Sequence, residues 1–162
     1  MKNISRSLFL FGVILFISGL VIGVVDREWS RFFFKNIYLD RQIVVGFNLF
    51  LTHGHILIFS LFSFVLAILF KTETNPTQNT VVFFWIYVIG TTLTLALGIY
   101  KGLFLSALVG MDPRMGLFHA DAFLFGGNRI LRSLIYSIAH ILMATGSIAL
   151  VIKAFKGWKP NN

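Results

Sequence analysis

Residues 43–70 read IVVGFNLFLTHGHILIFSLFSFVLAILF, a run with no aspartate, glutamate, lysine or arginine. A helix rises about 1.5 Å per residue, so about 20 apolar residues cover the hydrocarbon core of a bilayer, and this run exceeds that length. Three more stretches share its character: 7–25, 81–108 (broken once, by Lys101) and 133–152. Across all 162 residues, 57% are hydrophobic and 12% charged, with a mean hydropathy of +0.84; soluble domains carry about 25% charged residues. The pattern predicts an all-α fold, an integral membrane four-helix bundle. It is read as a single membrane domain over 1–162, with helices over about 7–25, 43–70, 81–108 and 132–155.

Composition also narrows the function. The first apolar run is longer than the roughly 7–15-residue core of a signal peptide, and no small-x-small site precedes Asp26, so it is expected to stay as a helix. The absence of cysteine excludes disulfides, thiolate metal sites and covalently attached c-type haem. A net charge of +8 at helix ends reflects anionic lipid and topology, with no nucleic acid implied.

Three connectors follow from the same reading. Residues 26–42, DREWSRFFFKNIYLDRQ, mix charge with aromatics and suit an interfacial amphipathic stretch. Residues 71–80, KTETNPTQNT, make a short polar turn. Residues 109–132 are long, with breakers at Pro113 and Gly126-Gly127, and are expected to fold back over the bundle, GLFHADAFLFGG being partly re-entrant. Within them His119 and Asp121 are read as a solvated loop pair, a lid over the site being the alternative. The face with both termini carries Lys2, Arg6, Lys71, Lys153, Lys156 and Lys159; the other carries Arg27, Arg31, Lys35, Arg41, Arg114, Arg129 and Arg132. These counts do not set orientation. Cytoplasmic termini are expected because the second set is spread through aromatic-rich connectors.

The two histidines of the opening run, His53 and His55, lie roughly 15–18 Å into the second helix at 1.5 Å per residue. His140 in the fourth helix and Lys101 in the third come roughly 12 and 10 Å from the same face. Intramembrane ionisable groups are costly and are usually functional, although a histidine can also serve only as a hydrogen-bonding link between helices. Residues i and i+2 project about 200° apart, so His53 and His55 serve different faces. His55 shares its stripe with Asn48, Thr52 and Phe59, His53 with Gly46, Leu49, Ile56 and Ser60, and His140 with Ser133, Tyr136 and Met143.

Facing imidazoles suit the iron of haem b, which a membrane four-helix bundle can contain. The 19 phenylalanines would pack a macrocycle, and Lys101, Arg132 or Arg31 would pair its propionates. Metal candidates are His55, His53 and His140; Lys101 and Arg132 complete the cofactor set, and Tyr136, Lys101 and Asn48 are catalytic candidates. A zinc or copper site needs a further ligand nearby, and a proton relay through histidine, Tyr136 and Lys101 remains open. Gly19-x-x-x-Gly23 and Gly98-x-x-x-Gly102 mark close helix packing and a homo-oligomer.

Arg27-Glu28-Trp29 after the first run, His53-Gly54-His55, IGTTLTLALGIYKG at 89–102 and Ala139-His140-Ile141-Leu142 together resemble a family of short bacterial four-helix membrane proteins. The resemblance covers nearly the whole chain and implies a multi-pass protein of the bacterial inner membrane, with no activity attached. A more distant resemblance, in length, helix count, an early histidine in the second helix and Pro113-x-x-Gly116, is to styrene oxide isomerase. That enzyme carries haem b between subunits and opens epoxides to aldehydes. Its active-site asparagine, aspartate and tyrosine have no counterparts at matching positions, since Asn48, Tyr100 and Tyr136 fall elsewhere. The expectation is a haem-b membrane protein held by His55 or His53, with His140 as second ligand or nearby acid/base, for electron transfer, sensing or small-molecule chemistry. The alternatives are a haem-dependent isomerase and a cofactor-free transport, assembly or structural protein.

Overall fold

A computed structural model describes residues 3–33, 39–71, 76–112 and 114–157, with the side chains of 33, 39–47, 117 and 157 outside the description. The basic side chains of Lys2, Lys35, Arg41 and Lys159, the breaker Pro113 and the side chain of Gly46's stretch fall outside it. Every described element is helical: α1 (Ile4–Phe33), α2 (Leu39–Leu69), α3 (Gln78–Met111), α4 (Leu117–Ala122), a 3-10 turn (Leu124–Gly127) and α5 (Arg129–Gly157). Four of them are long and apolar enough to cross a membrane: Ile4–Phe32, Asn48–Leu69, Gln78–Met111 and Arg129–Lys156.

The helices run past their apolar cores because polar residues at the ends find partners. Asn3, Thr77 and Asn128 each accept a backbone N–H in the first turn of α1, α3 and α5, satisfying donors that a helix start leaves orphaned. Residues 26–33 continue α1 where an interfacial connector was expected. Glu28 pairs with Arg27 and Arg31 along that turn, and the Trp29 indole N–H donates to Ser106 Oγ of α3 at 2.8 Å. The latter is a tertiary bond, invisible to local pattern.

Successive long helices are antiparallel, with α1 against α2, α2 against α3 and α3 against α5, while α2 and α5 touch far less. The core lies at the end shared by the α1 N-terminus and the α5 C-terminus. There Ile4, Leu8, Leu66, Phe84, Tyr87, Leu150 and Ala154 are buried together. Hydroxyls bind the helices across this apolar contact: Ser60 donates to Gly12 O at 2.8 Å, Ser5 to Ala67 O at 2.7 Å, and Ser63 Oγ lies 2.8 Å from Tyr87 OH. At the opposite end α4 folds back on α3 and buries Ala120 against Leu105 and Val109.

Glycines set how closely the helices approach. A Cβ on Gly98 would meet Thr52 Oγ1 at 2.8 Å and one on Gly102 would meet Leu49 Cα at 3.1 Å, so this spaced pair is the α2–α3 contact. The closest approach involves two glycines that belong to no such motif. A Cβ on Gly90 would run into the backbone nitrogen of Met143, and one on Gly146 into that of Tyr87. Those neighbours are backbone and cannot turn aside. Gly90→Ala or Gly146→Ala is therefore expected to lower stability by about 1–3 kcal/mol through overpacking. Gly54→Ala, whose Cβ meets nothing within 4 Å, is expected to be neutral or to gain up to about 1 kcal/mol of helix preference. Thermal unfolding in detergent followed by tryptophan fluorescence measures both.

Candidate functional site

Where α2 and α5 part, α3 forms the floor of a groove of about 430 Å³, within the size range of small-molecule sites. His55, Asn48, Lys101, Tyr136 and His140 all line it, together with Thr94 and the apolar Phe59, Leu95 and Met143. Five residues singled out from sequence, on three helices, are thus brought to one place.

The imidazoles have a defined polarity. His55 Nδ1 is 2.6 Å from Leu51 O, and His140 Nδ1 is 2.7 Å from Tyr136 O, each one turn back on its own helix. A carbonyl oxygen only accepts, so Nδ1 carries a proton and donates, and Nε2 is the nitrogen of each ring not committed to the helix. Both rings are exposed in this groove. Metal-ligating histidines are commonly oriented this way, with one nitrogen donating to a carbonyl and the other left as the ligand atom.

His53 has a different setting. Its Nδ1 donates to Gly19 O of α1 at 2.7 Å, and its ring occupies the space beside Gly23, where a Cβ would meet Cε1 at 2.8 Å. The Gly19-x-x-x-Gly23 pair is a notch in α1 that seats Leu57 and His53. The 200° separation read from sequence is therefore realised, and His53 is not among the residues lining the groove.

The charges differ from expectation. Lys101 and Arg132 were expected to be available to an anionic cofactor, and His119 and Asp121 to be a solvated pair. Instead Asp121 stands between the two cations: Arg132 Nη1 donates to Oδ2 at 2.7 Å and to the Asp121 carbonyl, while Lys101 Nζ lies 2.9 Å from Oδ1. The lysine sits at ion-pair distance without the alignment of a hydrogen bond, so Oδ1 has no hydrogen-bond partner. His119 stays exposed, its ring against Phe123. Arg31 binds Glu28 and does not line the groove. The fold-back of α4 produces this arrangement, and it is held by Phe125, whose ring packs against Tyr100 at 5.3 Å and Tyr136 at 6.1 Å. Phe125 has φ 55°, in the left-handed region that costs a bulky side chain energy.

Asp121 and Thr94 are the residues that sequence reasoning undervalued. Asp121 is the sole formal charge between Arg114 and Arg129, a signal that it is destined for a cation. Thr94 Oγ1 is buried and without a hydrogen-bond partner. Among the described residues no three histidine, aspartate or glutamate side chains converge as metal ligands. No family model, curated protein or solved structure matches the chain.

Two outcomes follow. His53→Ala strands the Gly19 carbonyl and empties the α1 notch, so it is expected to cost about 1–3 kcal/mol; His55→Ala, whose ring faces the groove, stays within about 0.5 kcal/mol. Detergent unfolding curves compare the two. Asp121→Asn removes the shared anion between two cations, and hydrogen exchange of residues 117–127 is expected to accelerate about tenfold or more as α4 loosens.

Proposed function

We propose that the chain is an integral membrane protein whose α2/α5 groove binds haem b through the Nε2 atoms of His55 and His140, and that it serves electron transfer or sensing. Membrane insertion is supported by the outward faces of the four long helices. Ile14, Ile17, Leu61, Ile68, Ile141 and Ile148 are all exposed, and only 17% of the apolar window of α5 is buried. Large unpartnered apolar surface of that kind is stable in hydrocarbon and not in water. The resemblance to bacterial four-helix membrane proteins supports the inner membrane, and the exposed face of α5 supports a homo-oligomer.

One observation carries the cofactor. Two imidazoles on different helices line one groove, each with Nδ1–H committed to a carbonyl and Nε2 uncommitted among the described residues. Two imidazole donors lining one groove without a third protein ligand fit a metal already held in a macrocycle better than a bare zinc or copper ion. Leu51 and Tyr136 carbonyls hold the rings in orientation. Phe59, Leu95 and Met143 supply apolar wall surface for the macrocycle. Iron held between two histidines supplies one-electron transfer.

The test is the visible spectrum of detergent-purified protein, oxidised and reduced, for the native chain and for His53→Ala, His55→Ala and His140→Ala. A Soret band with split visible bands on reduction is expected in the native protein and in His53→Ala, and is expected to be lost in the other two. A high-spin band sensitive to His55 alone would shift the reading to the haem-dependent isomerase. No band from cells supplied with haem would overturn the haem assignment.

A further inference from the structure

The groove carries a charge that its own residues do not balance. Lys101 and Arg132 face one carboxylate, Asp121, and no other anion contacts them among the described residues. An unpaired positive charge set back from water is costly and calls for a counter-ion. The two cations are not equivalent. Arg132 is committed twice to Asp121, through the side-chain carboxylate and the main-chain carbonyl. Lys101 has three N–H donors, meets Asp121 without hydrogen-bond alignment, and is the one of the two that lines the groove. On the same helix Thr94, two turns away, also lines the groove, its hydroxyl oxygen covered and without a hydrogen-bond partner.

We infer that the groove takes a largely apolar ligand bearing a carboxylate, and that this carboxylate is bound by Lys101. The inference rests on the groove being a ligand site and deepens the reading above. The same chemistry is supplied by a propionate of haem or by the head group of a fatty acid, and the ligand's hydrocarbon body lies against Phe59, Leu95 and Met143. Asp121 acts here as the positioning residue that shares its charge between Lys101 and Arg132, leaving one positive charge for the incoming anion.

The experiment compares acids with their uncharged esters. Iron(III) protoporphyrin IX and its dimethyl ester, then cis-parinaric acid and its methyl ester, are titrated into full-length protein purified from haem-limited cells. The native protein is expected to bind an acid roughly tenfold tighter than its ester, the size of one charge-assisted hydrogen bond. Lys101→Met abolishes that preference, Lys101→Arg keeps it, and Lys71→Met at the far end leaves it unchanged. The native acid-to-ester ratio stands as a test even if Lys101→Met does not fold. Preference for parinaric acid without porphyrin binding upholds the carboxylate site and overturns the haem assignment. Porphyrin bound equally as acid and ester does the reverse. Failure of all four probes to bind overturns both.

Discussion

The backbones of α3 and α5 meet at Gly90 and Gly146 more closely than any Cβ permits, and the groove depends on that contact. It locks the register and direction of α5 on α3, since neither helix can slide without driving backbone into backbone. His140 and Tyr136 lie nearer the N-terminus of α5, away from the shared core. The same register places them across from His55 and above Thr94 and Lys101 on the α3 floor.

Within that frame, hydrogen bonding sorts the histidines. An imidazole N–H in an apolar helix must find an acceptor or pay the full desolvation cost. His53 finds it across the helix interface, on Gly19, and so becomes part of the α1–α2 packing. His55 and His140 find it on their own helices, at the carbonyl one turn back, and so keep the remaining nitrogen for the groove. The distinction between a histidine that packs helices together and one that lines the groove is thus one of acceptor, not of residue type or depth.

The four apolar runs were legible because each is long and apolar enough to cross a membrane, and the opposite faces of His53 and His55 followed from helical geometry alone. Which histidine faces the groove was not legible from α2. It depends on the notch at Gly19 and Gly23 in α1, whose spacing was visible but whose occupant was not. The continuation of α1 through residues 26–33 was hidden for a related reason, because Trp29 is anchored to Ser106, far away in sequence. Gly90 and Gly146 escaped notice as single glycines in separate helices, outside any spaced pair. The charge of Asp121 was visible, but its partnership with Lys101 and Arg132 required the fold-back of α4, fixed by Phe125 in a backbone conformation that composition does not announce.

The central claim is that Nε2 of His55 and of His140, and not that of His53, meets the cofactor. Nitrogen-15 magnetic resonance of histidine-labelled protein in lipid, recorded before and after addition of iron(III) protoporphyrin IX, tests it most directly. The account predicts three rings protonated at Nδ1 in the free protein, with the Nε2 signals of His55 and His140 broadened beyond detection by the bound paramagnetic iron while that of His53 persists. Loss of the His53 signal, or retention of all three with the porphyrin bound, would contradict it.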